Sequence, residues 1–368
     1  MIAPIWSVEN SHLLPFAPPA AWDGWFAIAI PARGSGLRWC KAHFYNLSAR
    51  TGAYPFSLLE ALGKRTEVMI AWADENEVHV HDVGVDGGAL ACFSSPLAIA
   101  YEDNFLFEGG AGRYEMSFAL PGKRRTANFR FEAGWPIWWS RFGRMLQYVG
   151  LHSRVSMELA DEGLLRPLDC FGVMEHVTGA AAPFDISRAP VSYHWDVLAF
   201  DGATSPFDSA AGLSIGFGGG TAIPLKAAAC LPGSHPAGMR GLWVTYREVT
   251  EGEDAEGNPI MVPVRWEGVM RSRKGTLRYQ AKAATPAACI LPGGAMLGFD
   301  FECAWRSAGA VKTFTGTGFT EYGDFTGRLK GTGRRLTTID EEKAAAEVRR
   351  LARLTAGGAN GAGGAHGS

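Results

Sequence analysis

Apolar residues that recur at every second position, in short runs broken by glycine turns, can be buried only in sheets. The run 296–306 shows this pattern most plainly. Leu297, Phe299, Phe301, Cys303 and Trp305 point one way, and Asp300 and Glu302 point the other. Tyr114, Met116 and Phe118 alternate with Glu115 and Ser117 in the same manner. Similar strand signals cover 67–72, 77–83, 89–93, 114–120 and 128–132, separated by Asp-Gly, Gly-Gly or Pro-Gly turns. A second series covers 191–200, 212–216, 223–230, 242–249, 260–270, 276–282, 296–306 and 311–321. Many strands, few helices and no strand–helix–strand rhythm predict an all-β chain of antiparallel barrels or sandwiches.

Helical signals are sparse. Ser57 and Glu60 form a capping box for a short helix at 57–62, which Gly63 stops. Thr338 and Glu341 cap a second helix running to Leu354, and a Gly/Ala-rich tail to Ser368 follows. Between Gly134 and Gly150, Trp135, Trp138, Trp139, Phe142, Met145, Leu146 and Tyr148 recur at roughly helical spacing. That spacing predicts a short helix or irregular plug against a barrel mouth. Such a plug either closes the core or lids a cavity, with an entrance that could touch a membrane surface.

At 368 residues the chain has room for two cores. The Ala- and Pro-rich stretch 179–190 lacks alternation and is the natural boundary. The expected division is an N-terminal domain at 1–185, a C-terminal domain at 186–336, and the helix and tail at 337–368. The stretches 169–179 and 316–323 are both glycine-bracketed and both carry a carboxylate among aromatics, as two related halves would. Lys plus Arg is 35 against 37 for Asp plus Glu, a net charge of −2 that disfavours nucleic acid as a partner. Six cysteines without CxxC pairing read as buried free thiols of a reducing compartment. Residues 1–20 have no basic segment ahead of an apolar run, so they are not read as a signal peptide, and the expected location is cytoplasmic. Twelve tryptophans and 21 phenylalanines suit large two-sheet cores or a cavity for an apolar ligand.

Recognisable nucleotide or nucleophile motifs are missing. The glycines at 216–220 lack the Lys and Ser/Thr of a phosphate loop, and there is no GxSxG. His79 and His81 share a strand face but have no evident third ligand, so no metal is implied. Two stretches stand out. In the first, His176 and Met174 share a face, with Val173, Glu175 and Val177 opposite. In the second, His194 and Asp196 share a face, with Tyr193, Trp195 and Val197 opposite. A carboxylate in apolar surroundings must be paired or protonated, and one beside a histidine has the composition of an acid–base site. Taken singly, each of Glu175, His176 and Asp196 reads more readily as a satisfied buried polar group; only together do they have the composition of an acid–base site.

The Glu175-His176 stretch, the run 193–196, Arg265-Trp266-Glu267-Gly268 and Gly318-Phe319-Thr320-Glu321 resemble the carotenoid 1,2-hydratase (hydroxyneurosporene synthase) and AttH-like superfamily. The resemblance covers roughly 150–325. It implies two lipocalin-like (calycin-type) β-barrel domains, and a kinship with cofactor-free Diels–Alderases. Thr178 stands where the hydratases carry an aromatic residue, and His194 where they carry Tyr, while Glu175, His176, Gly179 and Asp196 match. Both departures point away from a carotenoid and toward a different apolar substrate.

The function expected is hydration, dehydration or isomerisation of a C=C bond in a terpenoid, carotenoid-like, steroid or polyketide substrate, with no metal or redox cofactor. Asp196, kept neutral by an apolar site, would protonate the alkene, and His176 with Glu175 would handle water or the departing proton. Phe171, Met174, Thr178, Tyr193, His194, Trp195 and Trp266 would line the site, placed where the two halves meet. A non-catalytic lipocalin-like carrier and a pericyclic cyclase are the alternatives.

Overall fold

The computed structural model describes residues 21–324 except 48–65, 83–89, 95–96, 102–103, 111, 120–125, 143–145, 162–163, 181–190, 204–207, 218–221, 255–256, 258 and 292–293. The expected helix at 57–62, the boundary segment 181–190 and the C-terminal helix and tail lie outside the described residues. Within them the chain is all-β, as the alternation predicts.

The first sheet contains β1 (Ala21–Pro31), β2 (Trp39–Leu47), β3 (Thr66–Ala73), β4 (Val78–Asp82), β5 (Leu90–Ser94), β6 (Leu97–Tyr101), β7 (Phe105–Gly110), β8 (Arg113–Ala119), β9 (Thr126–Phe142), β10 (Leu146–Asp161) and β11 (Leu164–Ala180). Its order is β4-β3-β2-β1-β11-β10-β9-β8-β7-β6-β5. The second comprises β12 (Val191–Phe200), β13 (Ser209–Phe217), β14 (Ala222–Ala229), β15 (Ala237–Met239), β16 (Leu242–Glu253), β17 (Pro259–Ser272), β18 (Gly275–Ala283), β19 (Ala288–Leu291), β20 (Gly294–Ser307) and β21 (Ala310–Asp324). Its order is β15-β14-β13-β12-β21-β20-β18-β17-β16, with β19 beside β20. In each sheet the first strand pairs antiparallel with the last, β1 with β11 and β12 with β21. The stretches 169–179 and 316–323 lie in those two closing strands, so the two halves share one plan. The second sheet curls until β14 touches β16 and β15 touches β17.

Alternation sends one face of each sheet into its own core. Trp25, Phe44, Ile70, Phe107, Phe129 and Met174 belong to the first, and Leu198, Trp266, Tyr279, Leu297, Phe299 and Phe301 to the second. A third core fills the seam between the sheets, built from Ile28, Ile30, Trp39, Met69 and Val173 against Trp195, Val197, Ala211, Met296 and Phe319. Strands β1, β2, β3, β11, β12 and β21 are therefore buried on both faces.

The seam's rim is polar. Arg38 donates to Asp300 at 2.6 Å and Arg33 to Asp201 at 3.2 Å, each an ion pair between the two sheets. Inside it, Trp39 Nε1 donates to Thr285 Oγ1 at 3.4 Å.

The aromatic segment at 135–148 is not a helix or plug. Its described residues are the end of β9 and the start of β10, paired with each other. The register shifts between Gly150 and Leu151 and again between His152 and Ser153, passing over Ile137 and Gly134 on β9. Each extra residue in a β-bulge breaks the two-residue period. Two bulges so close together yield spacings of three that imitate a helix.

His152 lies between the two bulges and crosses the seam, where its Nδ1 hydrogen-bonds Ser209 Oγ. Burial alone pushes its pKa down to about 3. Because the unfolded imidazole titrates near 6.5, only the unfolded chain takes up this proton between those values. Stability is therefore undiminished above about 6.5 and falls as the pH drops toward 3. His152→Gln should lack this part of the pH dependence. Urea midpoints at pH 7.5 and 5.0 should show wild type losing more stability than the variant, by on the order of 2 kcal/mol.

Candidate functional site

Strand β12 separates its polar residues by parity. His194 and Asp196 point into the second core, while Tyr193 and Trp195 point into the seam, Trp195 within its core and Tyr193 onto Glu321. Asp196 is fully buried and serves as the hub of a network drawn from five strands. Its Oδ1 meets His194 Nε2 at 2.9 Å. Its Oδ2 accepts Trp266 Nε1 from β17 at 3.0 Å and the Tyr279 hydroxyl from β18. His194 Nδ1 meets the Tyr246 hydroxyl of β16 at 2.8 Å. Thr320 of β21 lies 3.3 Å from His194 Nε2 and donates to the Trp195 carbonyl at 3.2 Å. Several strands separate β12 from β16–β18 in the sheet order, so these bonds span the interior of the curled sheet.

Tyr279 can reach Asp196 because its cross-strand partner is Gly268. A Cβ there would overlap the phenol ring, so the glycine lets the ring lie flat on β17. Gly318 receives the Phe299 ring in the same way.

The electrostatics correct the expected protonation of Asp196. Burial disfavours its charge, but His194 and the hydrogen bonds of His194, Tyr279 and Thr320 outweigh that and hold the carboxyl below its usual range. The geometry agrees, because an indole N–H can only donate. Burial and the neighbouring Asp196 charge push the Tyr279 phenol well above its ordinary value. Asp196 is therefore a carboxylate, not the neutral acid the sequence led us to expect. Any proton this network supplies must therefore come from a group other than Asp196.

His176 is elsewhere. It stacks on Trp25, its cross-strand partner, at 3.8 Å between ring centroids and 8° between planes, on the first core's side of β11. Met174, on the same face, belongs to that core. The structure thus does not bring His176 and Asp196 together, since they face the interiors of different sheets. Glu175 is buried on the opposite face of β11, toward the seam, and the half-buried Phe171 packs against the seam core on that same face. Thr178 lies on β11 between Asp23 of β1 and Gln147 of β10. Of the expected site residues, the structure gathers His194, Asp196 and Trp266.

The seam holds its own polar group. Glu321 accepts the Tyr193 hydroxyl at 2.9 Å and pairs with the Lys41 ammonium, which lies 5.6 Å from the centroid of the Phe26 ring. Burial, then the Glu321 charge, raises the Tyr193 phenol well above its usual value. His79 and His81 both stack on Trp72, at 5.3 and 4.9 Å. Among the described residues no three His, Cys, Asp or Glu converge as a metal site would require.

Sequence reasoning missed Tyr246 and Tyr279 as members of the network. Both alternate like ordinary core aromatics, and nothing in the sequence separates a buried phenol that bonds to a carboxylate from one that only packs. Thr320 was within reach, inside the 318–321 motif.

No known family profile matches the sequence, and no curated protein does. Solved structures do match. An AttH protein from Nitrosomonas europaea is 11% identical with a TM-score of 0.54, covering 86% of this chain and 96% of that one. Kievitone hydratase from Nectria haematococca is 11% identical with a TM-score of 0.53, covering 82% and 88%. CghA, crystallised with Sch210972, is 12% identical with a TM-score of 0.51, covering 83% and 89%. The chain therefore has the two-domain, lipocalin-like fold of the AttH-like proteins, the fold its motifs resemble.

Proposed function

We propose that this protein is an enzyme acting on a hydrophobic unsaturated small molecule, and that Asp196, His194 and Tyr246 form its proton relay. The observation that carries this reading is the unbroken chain Asp196 Oδ1–His194 Nε2, at 2.9 Å, and His194 Nδ1–Tyr246 Oη, at 2.8 Å, with all three residues out of water. Asp196 fixes the imidazole and stabilises its protonated form. Tyr246 passes the proton to or from substrate carbon, while His194 restores it. Trp266 and Phe299, packed edge to face at 4.9 Å between ring centroids, give this interior aromatic surface of the kind that stabilises a carbocation formed when an alkene is protonated. Addition of water to that cation gives hydration, and loss of a different proton gives isomerisation. Neither outcome needs a metal or redox cofactor. Among the fold's neighbours, one is by name a hydratase, which favours hydration of a C=C bond.

A carrier function is the second reading, favoured by the closure of the network on itself, with Asp196 already holding three donors. Turnover separates the two. The full-length protein, incubated with a panel of terpenoid, steroid and polyketide alkenes and analysed by mass spectrometry, should yield a product 18 Da heavier or an isomer. Asp196→Asn and Tyr246→Phe should each lower kcat by about 10²–10⁴-fold while leaving ligand affinity within a few-fold. Binding without conversion by the wild type would establish the carrier instead.

Gly268→Ala tests the arrangement from outside the relay. The added methyl lifts Tyr279 off β17 and away from Asp196, so stability should fall by about 1–3 kcal/mol. Thermal melts followed by circular dichroism read this directly, and an unchanged midpoint would mean that the phenol does not lie across the glycine.

A further inference from the structure

Ser214 faces the same interior as the relay and takes no part in it. It pairs directly across β13 and β12 with His194, which places the two side chains on one face with Cβ atoms about 5 Å apart. Its side chain is fully buried, and among the described residues its Oγ has no hydrogen-bond partner. The members of the relay, by contrast, are bonded to one another. The hydroxyl's position is also set by a register shift between Leu213 and Ser214, where Pro224 opposes Ser214 on β14. Bulges beside sites commonly re-aim a side chain.

An unsatisfied buried hydroxyl is costly, and alanine would fill the same place without that cost. Around it β13 and β14 use alanine freely, at Ala210, Ala211, Ala227, Ala228 and Ala229. We infer that Ser214 is a specificity-determining residue that hydrogen-bonds an oxygen of the substrate, next to the atom that exchanges a proton with the relay. The substrate class follows. It is an oxygenated hydrophobic alkene, such as an allylic alcohol, enone or phenol, with its oxygen a few bonds from the reacting C=C, and not a pure hydrocarbon. This rests on the relay reading for the identity of the reacting carbon, but the anchoring itself is a matter of binding.

The test uses three probes of equal chain length, farnesol, farnesal and β-farnesene, with binding to the full-length protein followed by quenching of its tryptophan fluorescence. Wild type should bind the two oxygenated probes about 2- to 10-fold more tightly than the hydrocarbon, the range of one neutral hydrogen bond. Ser214→Ala should erase that preference, leave farnesene affinity unchanged, and melt at the wild-type temperature or above. Ser214→Cys keeps the side-chain shape with a somewhat larger atom, offers only a weak donor, and should lose the preference as well. Equal binding of all three probes by wild type, binding of none, or a preference that survives both substitutions overturns the inference. A lowered melting temperature of Ser214→Ala also overturns it, because the hydroxyl would then be a satisfied part of the core. Turnover by Asp196→Asn in parallel separates the two ideas: loss of turnover there with no effect of Ser214 on probe preference sinks only the anchor, and the reverse pattern sinks only the relay.

Discussion

Burial on both faces of the central strands is the constraint on which the rest of the molecule depends. A strand with one wet face can discard its polar residues into solvent. Strands β1, β2, β3, β11, β12 and β21 cannot, because one side faces a sheet interior and the other faces the seam. Each polar side chain they carry needs a partner from across one of those cores. Asp196 finds Trp266 and Tyr279 across the inside, beside His194 of its own strand, while Lys41 and Glu321 find each other across the seam. The ion pairs of Arg33 and Arg38 sit at the rim, where water still reaches both partners of the first and the Asp300 carboxylate of the second.

This double burial explains what could and could not be read from the chain. Parity was legible: Met174 with His176, and His194 with Asp196 against Tyr193, Trp195 and Val197, lie on the faces that alternation assigned. Whether a face meets the seam or an interior was not legible, because both are apolar and both tolerate a paired histidine. Placing His176 and Asp196 in one site required each to face the seam, and both turn away from it. Their nearness in sequence, across the segment that joins the sheets, carried no information about direction. The 135–148 segment failed for a different reason, since alternation is a reliable guide only while the register is unbroken, and β9 breaks it twice.

The aromatic load has a related explanation. A core of leucine and valine could not hold Asp196 ionised, because it offers no donors. Trp266, Tyr279 and Tyr246 bring large apolar rings that fill the interior and one polar atom each at the end of the ring. Gly268 and Gly318 belong to the same solution, since flat rings on a sheet need cross-strand positions without a Cβ.

Strands β12 and β21 also tie the two polar systems together. In their register Asp196 lies opposite Thr320, and Trp195 opposite Glu321. The hub and the seam ion pair are therefore back to back on the same two strands, one residue out of phase. A packed strand pair does not slide by fractions of a residue, because a slip of one position would turn Asp196 into the seam and Glu321 into the second core. The Lys41–Glu321–Tyr193 group thus does more than join the sheets. By fixing which side of β21 faces the seam, it fixes which side presents Thr320 to His194, and so the register in which the relay is assembled.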